Sequence, residues 1–176
     1  MPFPGEGIDG RRGEGFSKKG KENMRGRNDI RLLAEIDGEP VSHFQLREFE
    51  NAEGLAMVHA SALDSLERVR RELCAMQGEE VWLMVTNAVR TRADLERLAA
   101  RLGWTDEGGL VARQSKHLAE FGGIAVDLIA VVARSRRRVP QAELGRLCRR
   151  HFDWVKDDYR DGHVHADNRS AGSSAR

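Results

Sequence analysis

Apolar residues that recur every three or four positions predict three helices. The first covers Ser61–Met76, where leucine, valine and methionine repeat at the spacing of one helical face. A capping-box-like Ser-x-x-Asp begins this segment and Gly78 ends it. Two further segments show the same periodicity, Thr91–Leu102 and Pro140–His151. The proline that begins the last segment suits a first helical position, because that position needs no backbone donor.

Continuous apolar runs and shorter stretches bounded by turn residues predict a set of strands. The runs Val81–Thr86 and Ile124–Val132 are typical of strands covered on both faces. Shorter strands are expected at Ile30–Ile36, which ends in an Asp-Gly turn, at Phe152–Val155 and at Gly162–Ala166. Gln45–Glu48 is expected to form a helical turn. Helices and strands do not alternate regularly, so we predict a single α+β domain with a mixed or antiparallel central sheet flanked by helices.

Composition divides the chain into a folded part and two tails. The 176 residues suit one domain. Residues 1–28 contain seven glycines, many charges and few large apolar side chains. Such a segment buries too little surface to offset its ordering entropy, so we predict disorder over 1–28 and 170–176 and a domain over 29–169.

The beginning of the chain has no pattern of a secretory signal. No apolar stretch of the required length follows its basic residues, so synthesis in the cytoplasm without a signal peptide is expected. Residues 18–23 can be encoded almost entirely by purines, as a bacterial ribosome-binding site is. This supports the hypothesis that translation begins at Met24 and not at Met1.

The charge balance argues against several classes of partner. Lys+Arg 29 and Asp+Glu 28 leave a net charge of +1, unlike a dedicated nucleic-acid-binding protein. The run Arg134–Arg138 contains no aromatic residue that could stack a base, so it is interpreted as a solvated loop. The longest apolar run, 123–133, is too short for a membrane span and contains Asp127. Cys74 and Cys148 are expected to be reduced, buried thiols, and the chain is expected to be a monomer.

One set of residues suggests a site chemistry. His163 and His165 are two residues apart, which in a strand puts both imidazoles on one face, roughly 6–7 Å apart. Asp127 lies inside an apolar strand, where an ionised carboxylate is costly unless a positive group meets it. His117 lies in the loop before that strand. Two imidazoles, one carboxylate and an open position form a common catalytic zinc site.

Plainer interpretations stay open from the residues alone. A His-x-His pair is usually accidental in a chain with six histidines. Asp127 alone could be a buried hydrogen-bonding group or half of an ion pair. Ser115 lies near His117, but no nucleophile-elbow pattern surrounds it. The remaining histidines are interpreted as ordinary surface or boundary residues: His43, His59 and His151.

The order of these residues resembles a family pattern. The chain contains Ser115-Lys116-His117, then Gly123-x-Ala125-x-Asp127, then His163-x-His165. This order is similar to that of the zinc D-Ala-D-Ala carboxypeptidases, whose superfamily includes lysostaphin-type endopeptidases and hedgehog domains. The resemblance covers about residues 42–169, and the ending 159–169 is similar to phage and prophage members. Segments 43–49, 63–70 and 85–91 also resemble elements of the family.

The sequence departs from the family pattern at three places. Nine residues separate His117 from Asp127, where the family motif has six. The tripeptide Asn87-Ala88-Val89 replaces Ser-Gly-Tyr. The Glu-x-x-His element that supplies a general base in many relatives is absent before His163 and His165.

The resemblance implies a role for each motif residue. His117, Asp127 and His165 would bind one zinc ion, and His163 would act as general acid or base. Arg90 would pair with a carboxylate or carbonyl of the substrate, the alternative being a surface arginine before a helix. The remaining candidates are Ser115, which would bind substrate or shape its loop, and the alternative bases Asp161 and Glu120, each otherwise an ordinary surface carboxylate.

The implied activity is that of a zinc-dependent peptidase. Its substrate would be a peptide bond in bacterial peptidoglycan stems or cross-bridges, cleaved in the manner of a carboxypeptidase or an endolysin. The enzyme would reach the cell wall after phage-type release or as a virion component. The alternative is a non-catalytic zinc-binding domain with a structural or binding role in a virion, which the missing Glu-x-x-His favours. Metal analysis and peptidoglycan digestion distinguish the two.

Overall fold

The computed structural model describes residues 30–41, 43–103 and 114–171. The predicted disordered segment 1–28 and residues 172–176 of the predicted tail lie outside these ranges. The described residues form nine elements, in chain order β1 (Ala34–Ile36), β2 (Glu39–Val41), α1 (Ala60–Gln77), β3 (Val81–Asn87), α2 (Arg92–Leu102), β4 (Ala125–Val132), α3 (Gln141–Cys148), β5 (Trp154–Lys156) and β6 (Val164–Asp167). Short 3₁₀ turns occupy Leu46–Phe49 and Ala119–Phe121.

Strand pairing is antiparallel throughout the named strands. Four strands form one sheet in the order β3–β4–β6–β5, and β1 pairs with β2 in a separate hairpin. Asp37 and Gly38 turn this hairpin with positive φ angles of 56° and 81°, as a two-residue hairpin loop requires. The predicted α+β class is confirmed, and of the two predicted sheet types the antiparallel one is observed.

Helices α1 and α3 pack against one face of the sheet and form the core with it. Leu66, Val69 and Leu73 of α1 are fully buried, at the helical spacing that the sequence predicted. They join a cluster with strand residues Val126, Leu128, Ala130, Val164 and Ala166. Burial of such side chains contributes roughly 1.5–3 kcal/mol each to stability. The strand residues between these core positions, such as Asp127 and His165, face the other side of the sheet, which is called here the open face.

The edge strand β3 corrects one prediction. Val81 and Leu83 are buried, whereas Trp82, Met84 and Thr86 are exposed. The segment is therefore covered on one face only, and the prediction of a strand covered on both faces is wrong. The physical reason is that α1 packs against a single side of β3, and a continuous apolar run does not show which side is covered.

The central strand β4 agrees with its prediction. It runs over Ala125–Val132 inside the expected segment Ile124–Val132, and only Ile129 and Val131 are partly exposed. Strand β3 pairs along β4 on one side, and β6 pairs with Ala125–Leu128 on the other, so Asp127 lies in the interior of the sheet. This central position places the Asp127 side chain in a low-dielectric environment.

Each of the three helices starts one residue away from its predicted start. The imidazole of His59 accepts the Ser61 N–H, so His59 caps α1 and the helix begins one residue earlier than predicted. The predicted helix Pro140–His151 is shorter, because Pro140 precedes the first turn and the helix ends at Cys148. Helix α2 begins at Arg92, one residue after its predicted start, because Thr91 is the N-cap and closes a capping box.

Both cysteines are free, as predicted, and differ in burial. Cys148 is buried as predicted, whereas Cys74 is only half-buried, so the prediction of burial is wrong for Cys74. Burial raises the pKa of the Cys148 thiol to about 12, so this thiol stays protonated and unreactive at neutral pH. No helix among the described residues is long and apolar enough to cross a membrane.

Candidate metal centre

Two neighbouring strands bring a carboxylate and an imidazole face to face. Asp127 of β4 is paired in register with His165 of β6, and both side chains lie on the open face because Leu128 and Val164 turn into the core. His117 comes from the loop between α2 and β4. The backbone of Arg90 holds that loop, since its N–H donates to the His117 carbonyl oxygen and its own carbonyl accepts the Ala119 N–H.

The longer loop between His117 and Asp127 is accommodated locally. Ala119–Phe121 form a 3₁₀ turn, and Gly122 and Gly123 follow with φ angles of 74° and 76°. Only glycine adopts such angles without cost, so these two residues redirect the chain into β4. The insertion relative to the family motif therefore does not separate His117 from Asp127.

Three side-chain atoms converge at the centre of the site. His117 Nε2 lies 3.0 Å from Asp127 Oδ1, His165 Nδ1 lies 2.9 Å from the same oxygen, and the two nitrogens are 2.9 Å apart. All three residues are buried. This group could hold a metal ion. The structure thus brings together the three ligand candidates of the sequence.

The outer nitrogen of each imidazole has an acceptor. His117 Nδ1 donates to the carbonyl oxygen of Ala88, and His165 Nε2 donates to Asp167 Oδ2 at 3.2 Å. With these protons placed, both inward nitrogens present lone pairs toward the Asp127 oxygen. Three acceptors at hydrogen-bond distance repel one another unless a proton or a cation lies between them. The donor set of two imidazoles and one carboxylate fits Zn²⁺.

Charge is concentrated at this point. Burial would raise the pKa of Asp127, but its hydrogen bonds and charge interactions with His117 and His165 outweigh burial and lower that pKa well below its usual range. Burial would lower the pKa of His165, yet Asp127 and Asp167 raise it. The pKa of Asp167 is lowered because Arg169 and His165 outweigh its desolvation. The Asp127 and Asp167 carboxylates therefore stay ionised at neutral pH, and the group formed by His117, Asp127 and His165 could hold a metal ion.

An amide and a guanidinium support the second oxygen of Asp127. Asn87 Nδ2 donates to Asp127 Oδ2 at 3.0 Å, and Arg90 Nε donates to Asn87 Oδ1 at 3.1 Å. A terminal nitrogen of Arg90 lies 3.8 Å from Asp127 Oδ2. The bulge between Val85 and Asn87 turns the Asn87 side chain toward the site. Arg90 thus lies beside the candidate ligands.

His163 stands at the edge of the same site. Its Nε2 lies 3.9 Å from Asp127 Oδ1, and its Nδ1 is 2.6 Å from Asp161 Oδ1. The ring of Tyr159 stacks on the imidazole with centroids 4.0 Å apart. Slight desolvation of Asp161 is outweighed by hydrogen bonds from His163, which lower the Asp161 pKa. Asp161 therefore accepts the hydrogen bond from the Nδ1–H of His163, and Nε2 of His163 faces the site.

Other sequence candidates form no hydrogen bond or ion pair with the candidate ligands among the described residues. Glu120 forms an exposed ion pair with Arg92. The carbonyl oxygen of Ser115 accepts the Leu118 N–H, and no described residue bonds its hydroxyl. The remaining histidines have partners of their own, with His43 on the buried Glu67, His59 on Ser61 and His151 on Glu72.

Sequence reasoning missed the residues around the ligands. Asp167 had no assigned role although it follows His165 at the two-residue spacing of a strand face, which is the signal that could have found it. Asn87 was noted only as a departure from the family tripeptide. Tyr159 and Trp154 contact His163 and His165 through their rings, and no local pattern marks them.

Comparison with family models, with curated proteins and with solved structures finds no match for this chain.

Proposed function

We propose that this chain is a zinc-dependent peptidase that cleaves peptide bonds of bacterial peptidoglycan. One observation carries the proposal. His117 Nε2, His165 Nδ1 and Asp127 Oδ1 converge within 3.0 Å of one another, while hydrogen bonds on the outer nitrogens keep their lone pairs inward. Beside them, His163 is held by Asp161 in the orientation that a base needs.

The roles of the chain's residues follow from these contacts. Zinc held by His117, Asp127 and His165 would supply Lewis-acid chemistry, polarising a carbonyl and acidifying water. His163 Nε2 accepts a proton from the attacking water, since Asp161 fixes the proton on Nδ1. As the water oxygen bonds to the carbonyl carbon and the C–N bond breaks, His163 returns that proton to the leaving amine.

Arg90 is suited to bind the substrate. Its Nε is engaged by Asn87, but a terminal nitrogen extends to 3.8 Å from Asp127 Oδ2 at the edge of the site. A guanidinium in this position can donate to a carbonyl or carboxylate oxygen of a peptide. Its bond to Asn87 limits its rotamers, so less entropy is lost when substrate binds.

The substrate class rests on the motif resemblance. The order Ser-x-His, Gly-x-Ala-x-Asp and His-x-His is similar to peptidases of bacterial cell-wall peptides, of carboxypeptidase or endolysin type. We further propose that the hedgehog-like fold of that superfamily applies here and that the enzyme reaches the wall after phage-type release or as part of a virion. Function depends on the site and not on the fold alone.

The second candidate is a non-catalytic zinc-binding domain with a structural or binding role in a virion. The absent Glu-x-x-His favours it, because many relatives take their base from that element. The hydrogen bond between Asp161 and His163 favours catalysis, because it supplies a different candidate base at the same site. Turnover distinguishes the two.

The test combines metal content with digestion. Purified protein should contain about one zinc per chain and should release stem peptides or their fragments from sacculi, detected by mass spectrometry. His165→Ala should lose both zinc and activity, because it removes a ligand. His163→Ala should keep zinc and lose activity by roughly 10²–10⁴-fold, as expected for a removed acid or base.

His151→Ala is the matched control, because this histidine pairs with Glu72 away from the site. It should keep zinc and activity. Zinc binding by His165→Ala as tight as in the parent would contradict the ligand assignment. If the zinc-loaded parent protein releases nothing from any peptidoglycan chemotype, the peptidase proposal is wrong and the non-catalytic zinc-binding role is supported.

A further inference from the structure

Strand β6 continues its polar alternation beyond the two histidines. His165 and Asp167 are two residues apart and lie on the open face, whereas Val164 and Ala166 are buried in the core. Asp167 is itself fully buried, with 0% of its surface exposed. A buried carboxylate so close to a metal ligand is costly unless its oxygens are used.

Asp167 links a candidate metal ligand to the protein surface. Its Oδ2 accepts the Nε2–H of His165 at 3.2 Å. Arg169 donates Nε to Oδ1 and a terminal nitrogen to Oδ2, each at 2.8 Å. Trp154 completes the group, because its ring meets that of His165 edge-on at 5.4 Å and lies 4.5 Å under the Arg169 guanidinium. Both carboxylate oxygens are therefore engaged, and His165 is held on two sides.

The two candidate histidine ligands present different nitrogens to the site. The neutral carbonyl of Ala88 accepts from Nδ1 of His117, which leaves Nε2 inward. The carboxylate of Asp167 accepts from Nε2 of His165, which leaves Nδ1 inward. The hydrogen bond on the outer nitrogen decides which nitrogen binds a metal.

We propose that Asp167 is the positioning residue that makes Nδ1 the metal-binding atom of His165, and that Arg169 holds Asp167 in this role. The inference rests on the metal centre of the proposed function and deepens it. Two geometric facts support it: Asp167 has no solvent-facing surface to hydrate its charge, and the planar fork of Arg169 matches both carboxylate oxygens.

Substitution by an amide tests the inference at constant shape. In Asp167→Asn the side-chain oxygen can accept the Nε2–H of His165 only if the new NH₂ group faces Arg169. In that orientation the NH₂ group, a donor, lies against the donating N–H groups of the guanidinium. The reverse orientation places NH₂ against the Nε2–H of His165. In either orientation a hydrogen bond that orients the His165 imidazole is weakened. The Kd for Zn²⁺ should therefore rise about 10–100-fold.

The measurement is Zn²⁺ competition against a chromophoric chelator, with circular dichroism of the metal-free proteins. Asp157→Asn is the matched control, because Asp157 also pairs with an arginine, Arg149, but lies outside the metal centre. The control should bind Zn²⁺ within about twofold of the parent. Parent-like Zn²⁺ affinity in folded Asp167→Asn would overturn the inference.

A second measurement uses the parent alone and stays decisive if Asp167→Asn does not fold. In long-range ¹H–¹⁵N spectra of the Zn²⁺-loaded protein, His165 should carry its proton on Nε2 and bind through Nδ1. Binding through Nε2 would overturn the inference. Failure of the proposed function gives a different result. A parent protein that binds no Zn²⁺ would contradict the metal centre itself. A zinc-loaded parent protein that shows no turnover would contradict the peptidase activity and leave the inference about Asp167 standing.

Discussion

At the residue scale, the site depends on how Asp127 keeps its charge inside the sheet. A buried ionised carboxylate is costly by several kcal/mol when it lacks partners. Here one oxygen meets His117 and His165, and the other accepts from Asn87 with Arg90 close by. These partners explain why an acidic residue is tolerated in an otherwise apolar strand.

Two adjacent glycines before β4 give a test at the same scale. Gly122 and Gly123 have nearly the same positive φ, but their surroundings differ. A Cβ on Gly122 would meet nothing within 4 Å, whereas a Cβ on Gly123 would lie 2.8 Å from the Cα of Val58. Gly122→Ala should cost about 1 kcal/mol of unfolding free energy from backbone strain. Gly123→Ala should cost about 3 kcal/mol, because the clash adds to that strain.

Urea unfolding of the two variants measures this difference. Since both substitutions add one methyl group at a positive φ, the Gly122 variant controls for strain alone. Equal losses in the two variants would contradict the close approach of Gly123 to Val58.

At the element scale, the start of α2 organises one side of the site. Arg90 lies immediately before the N-cap residue Thr91, and its backbone hydrogen-bonds to the backbone of His117 and Ala119. Thr91 caps the helix by accepting the Asp94 N–H, while the Asp94 carboxylate accepts the Thr91 N–H. The cap therefore fixes the direction in which the chain leaves Arg90.

Removing this cap should destabilise the protein without removing a candidate ligand. Thr91→Ala should lower the unfolding free energy by about 1 kcal/mol, because an N-terminal backbone donor of α2 loses its acceptor. Thr91→Ser keeps the hydroxyl and should stay within a few tenths of a kcal/mol of the parent. Thermal or urea unfolding checks both, and equal losses would show that the hydroxyl does not cap the helix.

At the scale of the whole molecule, metal binding and protonation are linked to folding. The pKa of Asp127 is lower in the folded protein than in the unfolded chain, where it is about 4. Ionised Asp127 therefore stabilises the fold at pH values above about 4, and this stabilisation is lost as the pH falls through the pKa of the folded protein. The pKa of His165 is higher in the folded protein than in the unfolded chain, where it is about 6.5. Protonated His165 therefore stabilises the fold at pH values below about 6.5, and this stabilisation is lost as the pH rises through the pKa of the folded protein. The contribution of these two groups to the free energy of unfolding of the metal-free protein should therefore be greatest between about pH 4 and 6.5.

Zinc should reverse this trend at higher pH. Binding requires the imidazoles without their inward protons, so affinity increases with pH. At a zinc concentration 100-fold above the Kd, the gain is about 2.7 kcal/mol. Melting curves with zinc and with a chelator should therefore differ more at pH 8 than at pH 5.5. A difference that shrinks from pH 5.5 to pH 8 would contradict a site built from these imidazoles.

Local patterns were enough for much of the fold. Helical periodicity located α1 and α2 to within one residue at their starts, because a buried helical face repeats at a fixed spacing. The apolar run of β4 marked a central strand and made Asp127 conspicuous within it. The end of α3 was misplaced, because the polar residues 149–151 form a turn and no glycine or proline marks the boundary after Cys148.

Residue types and short spacings were sufficient to predict the α+β class, the unpaired cysteines and the candidates His117, Asp127 and His165. Local patterns do not reveal that Asp127 lies opposite His165, that Asn87 reaches Asp127 at a bulge, or that Asp167 bonds both His165 and Arg169. The tertiary structure decided these contacts and which side of β3 is left open. The reason is that strand register and helix placement arise from packing between segments distant in the chain, and a shift of one residue would turn every side chain of a strand to the opposite face.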